Sequence, residues 1–417
     1  MPDRQRLSQW LAITALIAMA FGNLLVLWNT RVRMREGYGD FSSFYAAGVL
    51  VRRGLGHELY NPAAVWKVQQ EFAAGVNIRQ GPLPYIRPPF EALLFALFAA
   101  WPYSKALLLW TGFKLLLLAI IPFFVIGGRP HPRVLPALAV GPLLLGTFPE
   151  FMDLLMGQDA TFLLLLFAIS FRLLAAKKNM VAGFTLGLAL FKFQLVFPFV
   201  VMVWIAGNRK VLRGFVISGF GVVLISVLIV GWRGLFDYPA YLLELNRSVT
   251  AGMITPHYQV NLRGLLTLVV GRSAYPGFIH LALIPSAIVG CVCAGLIWRR
   301  AEGSLLAEGY GLALVVAIVT SYYAYDYDML LLAVPIMAIF ARGEIWRERN
   351  AVLRYIENAG LVLILIAPLY WFLRERLEAE CLMAIPLTAV GIGFARRLRG
   401  GDRAKGADAG LFRREVS

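Results

Sequence analysis

Few side chains in this sequence could do chemistry, and those few sit at the edges of long apolar runs. Asp40 comes first. In GYGDFSSFYAAGVLVRRG, residues 37–54, it opens a helix-like segment just after the first hydrophobic run. Two readings stand side by side. Asp is a favoured N-cap residue and Gly39 marks a turn before it. Alternatively, an acid just outside a membrane can take the proton of a hydroxyl being activated for attack. The two are partly exclusive, because a capping carboxylate already has one oxygen engaged. Further on, GPLPYIRPPFEALLFAL places Tyr85 and Arg87 at the mouth of the next apolar run. Arginine forks onto phosphate oxygens, and an aromatic ring can stack on the C–H face of a sugar. The plain alternative is an interfacial belt of aromatic and basic residues.

The other candidates carry similar alternatives. Lys192 lies in the middle of the apolar stretch 180–206. It is either a functional cation in a broken helix or a side chain that snorkels to the interface. Arg263 in VNLRGLL could hold an anion or anchor a helix end. Gln158 in GQDATF could bond a sugar hydroxyl or merely start a helix. His257 could approach the site from its loop, although an exposed loop histidine is usually just solvated. SYYAYDYD holds Asp326, Tyr327 and Asp328. Its D-x-D spacing resembles a metal clamp, but residues two apart on a helix face different sides. Cys291, Cys293 and Cys381 suggest neither a disulfide framework nor a metal site, and HELYN at His57 lacks the second histidine of a zinc-protease helix. No metal or cofactor is expected.

These residues must be positioned by a membrane protein. Hydrophobic residues make up 59% of the 417 positions and charged ones only 15%, and runs long enough to cross a hydrocarbon layer recur from end to end. The net charge of +16 is carried by short clusters between those runs and by the tail, residues 396–417. That pattern suits membrane-surface anchoring. Nucleic-acid binding would need a basic face on a folded polar domain, and no polar segment is long enough to make one.

The first run, Trp10 to Trp28, follows Arg4 and Arg6 and reads as a retained helix with a cytoplasmic N-terminus. Residues 29–87 then form a first outer loop with two amphipathic helices. In one, Phe41, Phe44, Tyr45, Gly48 and Val49 form a face suited to the membrane interface. The other starts at Asn61 as N-cap with Pro62 at its first position. Further spans are expected near 88–101, 105–126, 133–148, 160–176, 180–206 and 214–231. After a second outer loop, 232–264, others follow near 277–298, 306–321, 327–340, 351–371 and 380–395. The total is about twelve in one integral-membrane domain, 1–417, with a cytoplasmic basic tail. The second half obeys the positive-inside rule. The first half obeys it less well, since Arg31, Arg33, Arg35, Lys177 and Lys178 would lie outside.

DFSSFYAAGVLVRRG, ELYNP, YIRPPFEALLFALFAAWP, GQDATFLLLLFAISF, AGFTLGLALFKFQLVFPFVVMVWIAGNRK, VNLRGLL and TSYYAYDYDMLLLAVP occur in that order. Together they resemble the glycosyltransferases of family 87, over nearly the whole chain. The resemblance implies an all-α GT-C fold and an enzyme of the bacterial inner membrane working at its outer face. The implied reaction moves a hexose, mannose in the family's mycobacterial members, from a polyprenyl-phosphate donor lipid to a glycolipid or glycan acceptor among the membrane lipids. Asp40 matches the expected catalytic base. Arg87, Lys192 and Arg263 are the cations nominated for the leaving phosphate. Tyr85, Gln158, His257, Asp326, Tyr327 and Asp328 are candidate sugar or acceptor contacts. Where the family often shows a histidine, this chain has Tyr327 and Asp328. The rival reading is a twelve-helix transporter or flippase of lipid-linked glycans; the lack of a visible internal repeat and the single outer-loop acid weigh against it.

Overall fold

A computed structural model describes residues 2–73, 82–126, 141–247, 256–271, 276–300, 305–342, 360 and 366–415. Helices form all of the regular structure among them. Five helices are long and apolar enough to cross a membrane. They are Ile13–Arg35, Tyr103–Ile126, Arg209–Leu245, Leu281–Arg300 and Glu380–Arg399. A bent pair, Asn179–Leu188 with Leu190–Ile205, makes a sixth if it counts as one span. The described residues therefore supply five or six of the roughly twelve expected crossings. Half of the run expected near 133–148, and most of that near 351–371, lies outside them.

Several other apolar runs form short helices packed inside protein. Leu306–Thr320 is buried along most of its length. Asp326–Leu332 is a wholly buried 3-10 helix leading into Ala333–Ala341. Apolar composition alone does not separate a lipid-crossing helix from one enclosed by neighbours, which is why these runs read as spans.

In chain order the helices that build the site are α1 (Pro2–Arg35), α2 (Phe41–Arg52), α3 (Pro62–Ala73), α4 (Ala92–Phe98) and α5 (Tyr103–Ile126). They are followed by α6 (Phe148–Met156), α7 (Ala160–Ala175), α8 (Asn179–Leu188), α9 (Phe193–Ile205) and α10 (Arg209–Arg247), which breaks at Gly231 (φ 74°). α2 corrects one expectation. It is not an interfacial helix, because Phe41 to Leu50 are all buried, Ser42 and Ser43 included. Phe44 stacks on Phe95 at 4.7 Å, and Phe41 meets Tyr103 and Trp110 at 5.7 and 6.5 Å. The apolar face that suggested lipid contact serves a second, aromatic core instead. α3 starts where expected, with Asn61 Oδ1 accepting from the Ala63 N–H at 3.0 Å.

Two local devices aim the site. α6 is capped by Thr147, whose hydroxyl accepts from the Glu150 N–H, and ends at Gly157 in the left-handed region (φ 67°). A Cβ there would stand 2.6 Å from that of Phe41, so glycine alone permits both the turn and the close approach of α2. The second device is the break between α8 and α9. The chain bends by 64°, and Lys192 leaves helical geometry at φ −114°, ψ 56°. Broken helices are tolerated at membrane depth only where protein or a cavity surrounds them, and here protein does.

α8 and α10 cross in close contact, and a Cβ at Gly183 would run into the Val211 carbonyl. Gly183→Ala should therefore destabilise the protein by about 1–3 kcal/mol through overpacking, read as a lowered melting temperature in detergent.

Candidate active site

The turn between α6 and α7, Gly157-Gln158-Asp159, is gripped from three sides. The Gln158 N–H donates to the Asp153 carbonyl at 2.9 Å. Trp110 Nε1 donates to the Gly157 and Gln158 carbonyls at 3.1 and 3.3 Å. Asp153 Oδ1 accepts from the Ala160 N–H at 2.9 Å, while its Oδ2 pairs with Lys114 at 2.9 Å and accepts from Thr161 Oγ1 at 2.7 Å. Lys114 and Asp153 are fully buried, so this pair fixes the turn from beneath.

The turn presents two side chains to the site. Gln158 Nε2 donates to Asp40 Oδ2 at 2.7 Å, and Arg87 Nη2 donates to Gln158 Oε1 at 3.1 Å. Arg87 Nη2 also lies 2.8 Å from Asp159 Oδ2, and Lys192 Nζ lies 2.8 Å from Asp159 Oδ1. Lys192 Nζ then reaches Asp328 Oδ1 at 2.6 Å and lies 4.6 Å from the centre of the Tyr327 ring. One polar chain thus runs Asp40–Gln158–Arg87–Asp159–Lys192–Asp328 across five separate segments. Its backbone is held as well: Tyr60 and Tyr238 hydroxyls donate to the Arg87 and Ile86 carbonyls at 2.8 and 3.1 Å.

Burial and charge divide this chain of groups. Arg87, Gln158, Asp159, Lys192 and Asp328 are all buried, whereas Asp40 is only partly so. Burial works against the charge of Asp159, but Arg87 and Lys192 outweigh it and hold the carboxyl at about 2. Burial works against Arg87 too, and Asp159 and Glu91 keep it firmly protonated. Glu91 is driven the other way, first by burial and then by Asp159. Its Oε2 accepts from Tyr85 Oη at 3.2 Å and lies 4.0 Å from Arg87 Nε. Arg87 and Lys192 are thus paired with the buried carboxyls of Asp159 and Asp328, and Asp40 is the less buried carboxylate of the cluster. Its charge is among the influences, after burial, that raise the Asp326 carboxyl and the Tyr325 hydroxyl.

Several expectations change. Asp40 precedes α2, but its side chain makes no capping bond. It turns to Gln158, which among the described residues is its one side-chain partner. Tyr85 offers no face to a sugar, because its ring is fully enclosed by the aromatic core. Lys192 does not snorkel. Nor do Arg87 and Lys192 face an incoming phosphate bare, since carboxylates already occupy both. Arg263 lies over the Tyr322 and Tyr323 rings at 4.0 and 5.0 Å. His257 is buried against Tyr258, not solvated. Asp326 and Asp328 reach different partners, Arg374 at 3.4 Å and Lys192, so they do not act as one clamp.

Sequence reading missed Asp159, Glu91 and Arg374. Asp159 had a signal: a charge at the edge of an apolar run demands a buried partner, and Lys192 was such a charge with none assigned. Arg374 bridges Asp326 and Glu380, the latter at 3.1 Å, and nothing in the local sequence announces that pairing.

A family model described as Glycosyltransferase family 87 matches residues 85–335, more than half of the chain. No curated protein and no solved structure matches it. The matched stretch contains Arg87, Gln158, Asp159, Lys192, Arg263 and Asp326–Asp328 but begins after Asp40. The place of Asp40 in the site therefore rests on the Gln158 hydrogen bond.

Two measurements follow. Lys192→Met leaves Asp159 and Asp328 buried without their shared cation, so it should cost about 3–5 kcal/mol of stability, seen as a large drop in melting temperature. Burial, opposed by Arg374, pushes Asp326 up to about 6 from a usual value of about 4. Between those values the folded chain holds a proton that the unfolded chain has released, so stability falls as pH rises through that window. Melting curves from pH 4 to 7 should show this decline in the native protein and a smaller one in Asp326→Asn.

Proposed function

The chain belongs to glycosyltransferase family 87, and from that premise we propose that it moves a hexose, mannose first among candidates, from a polyprenyl-monophosphate carrier to a glycolipid or polysaccharide acceptor, with Asp40 as general base. The observation that carries the reading is the 2.7 Å hydrogen bond from Gln158 to Asp40 Oδ2. It holds one oxygen of a partly exposed carboxylate and leaves the other for an acceptor hydroxyl. A base must meet the proton it takes at hydrogen-bond distance, and Asp40 is the acid of the cluster open to an incoming molecule.

In this mechanism Asp40 accepts the hydroxyl proton as the acceptor oxygen attacks the anomeric carbon. The bond from that carbon to the phosphate oxygen breaks, and the lipid phosphate departs with the electron pair. Attack opposite the leaving group inverts the carbon. Arg263, on its tyrosine platform, is our candidate for direct contact with the phosphate. Arg87 and Lys192 act through the field of the buried cluster, which is fixed before substrate arrives. Tyr327, Asp326 and Asp328 border the acceptor side.

A lipid-linked donor accounts for catalysis in a membrane, since its phosphate lies at headgroup depth. With the N-terminus of α1 on the cytoplasmic side, Asp40, which comes directly after the helix's far end, faces outward on a bacterial inner membrane; Arg31, Arg33 and Arg35 at that end run against the positive-inside pattern.

Purified protein given radiolabelled polyprenyl-phosphate-mannose and a lipid extract should make a labelled glycolipid. Asp40→Ala should lower that rate by about 10²–10⁴-fold with an unchanged melting temperature; undiminished product would remove Asp40 from the role of base.

A further inference from the structure

At the opposite end of α2 from Asp40 lies a cavity of about 430 Å³ that takes no part in the chemistry above. Its volume falls in the range of small-molecule sites. The walls are aromatic. Tyr45 stands edge-on to Phe72 and Tyr103 at 5.0 and 5.2 Å, and Phe72 stacks on Tyr103 at 4.4 Å. The Tyr45 and Tyr103 hydroxyls donate to the Trp101 and Met34 carbonyls, so the polar tips of both rings are engaged by backbone.

The rim is polar in a particular way. Arg53 donates two parallel hydrogen bonds to Glu71, each 2.7 Å, with both side chains nearly half exposed at 46% and 44%. An exposed pair of this kind contributes only about 0–1 kcal/mol to folding, so stability does not account for its alignment. Its binding capacity is larger. Arginine has five N–H donors and the carboxylate has spare lone pairs, so the rim offers donors and acceptors side by side next to hydrocarbon.

We propose that this cavity binds a saccharide unit of the acceptor, at a distance from the hydroxyl that reacts; the proposal rests on the glycosyl-transfer reading. Sugar hydroxyls both donate and accept, which fits the Arg53–Glu71 rim, and a sugar's C–H groups suit the apolar wall that Val49, Val68, Ala99 and Pro102 form with the ring edges. The rim also includes Arg52, so titration with phosphate separates a neutral sugar from an anionic headgroup; an acyl chain would meet the charged side chains. Leu97 and Trp101 beside the cavity are exposed, and Lys105 lies over the Trp101 ring, as in an interfacial belt. The cavity's lining residues along α2, Tyr45 to Arg53, lie about 8–20 Å along the helix axis from Asp40. A unit held there supplies binding energy remote from the reacting centre, which is available to position the acceptor.

Calorimetric titration of the full-length protein, in a detergent without a sugar headgroup, tests this directly. The probes are linear gluco-, manno- and galacto-oligosaccharides of one to four units, with inorganic phosphate as the contrasting anion. At least one sugar series should bind saturably. Arg53→Ala and Glu71→Ala should each weaken that binding about tenfold or more without lowering the melting temperature. The proposal is overturned if no oligosaccharide binds, if both rim variants bind like the native protein, or if phosphate binds in their place in an Arg53-dependent way. Binding is read without turnover. Sugar binding in a chain that makes no product contradicts the transfer reading and keeps the cavity; product without sugar binding contradicts the cavity alone.

Discussion

The Asp159 carboxylate, held between Arg87 at 2.8 Å and Lys192 at 2.8 Å, is the contact on which the rest of the site depends. Two cations brought that deep into protein cost several kcal/mol each in lost hydration. They are tolerable only because Asp159 and Asp328 stand opposite them with good geometry. The arrangement joins the extended segment before α4, the α6–α7 turn, the α8–α9 break and the 3-10 helix at Asp326. Those segments are far apart in sequence, and no apolar contact would fix their mutual register as sharply, since charge pairing is directional where hydrophobic packing is not.

From that constraint the exposure of Asp40 takes on meaning. With Arg87 bound to Asp159, its guanidinium can also hold the Gln158 carboxamide oxygen, which turns the amide N–H toward Asp40. The amide acts as a relay of orientation: one end reads the buried charges, the other sets the carboxylate at the open edge. Beneath it, Lys114 and Asp153 keep the turn from shifting. A group that must meet a substrate in one geometry is better placed on such a support than on a loose loop.

Much of this was legible in the sequence, and the rest was hidden for physical reasons. The membrane class, the helical architecture and the kinship follow from composition and from ordered motifs. The amphipathic start of α3 at Asn61 and Pro62 was readable from local chemistry alone. α2 was misplaced because an apolar helical face looks the same whether it meets lipid or Phe95 and Trp110. Asp40 looked like a cap because caps are a local rule, while its true partner lies 118 residues away. Lys192 carried the clearest unused information. A lysine amid phenylalanines must have counter-charges, and Asp159 and Asp328 were both in view in motifs already singled out.

The most direct test is a structure of the Asp40→Asn protein with a polyprenyl-phosphate sugar bound. The account predicts the anomeric carbon facing the residue 40 side chain, room for an acceptor oxygen between them, and the phosphate on the far side of the sugar. A sugar seated away from residue 40, with another side chain nearer the anomeric carbon, would contradict it.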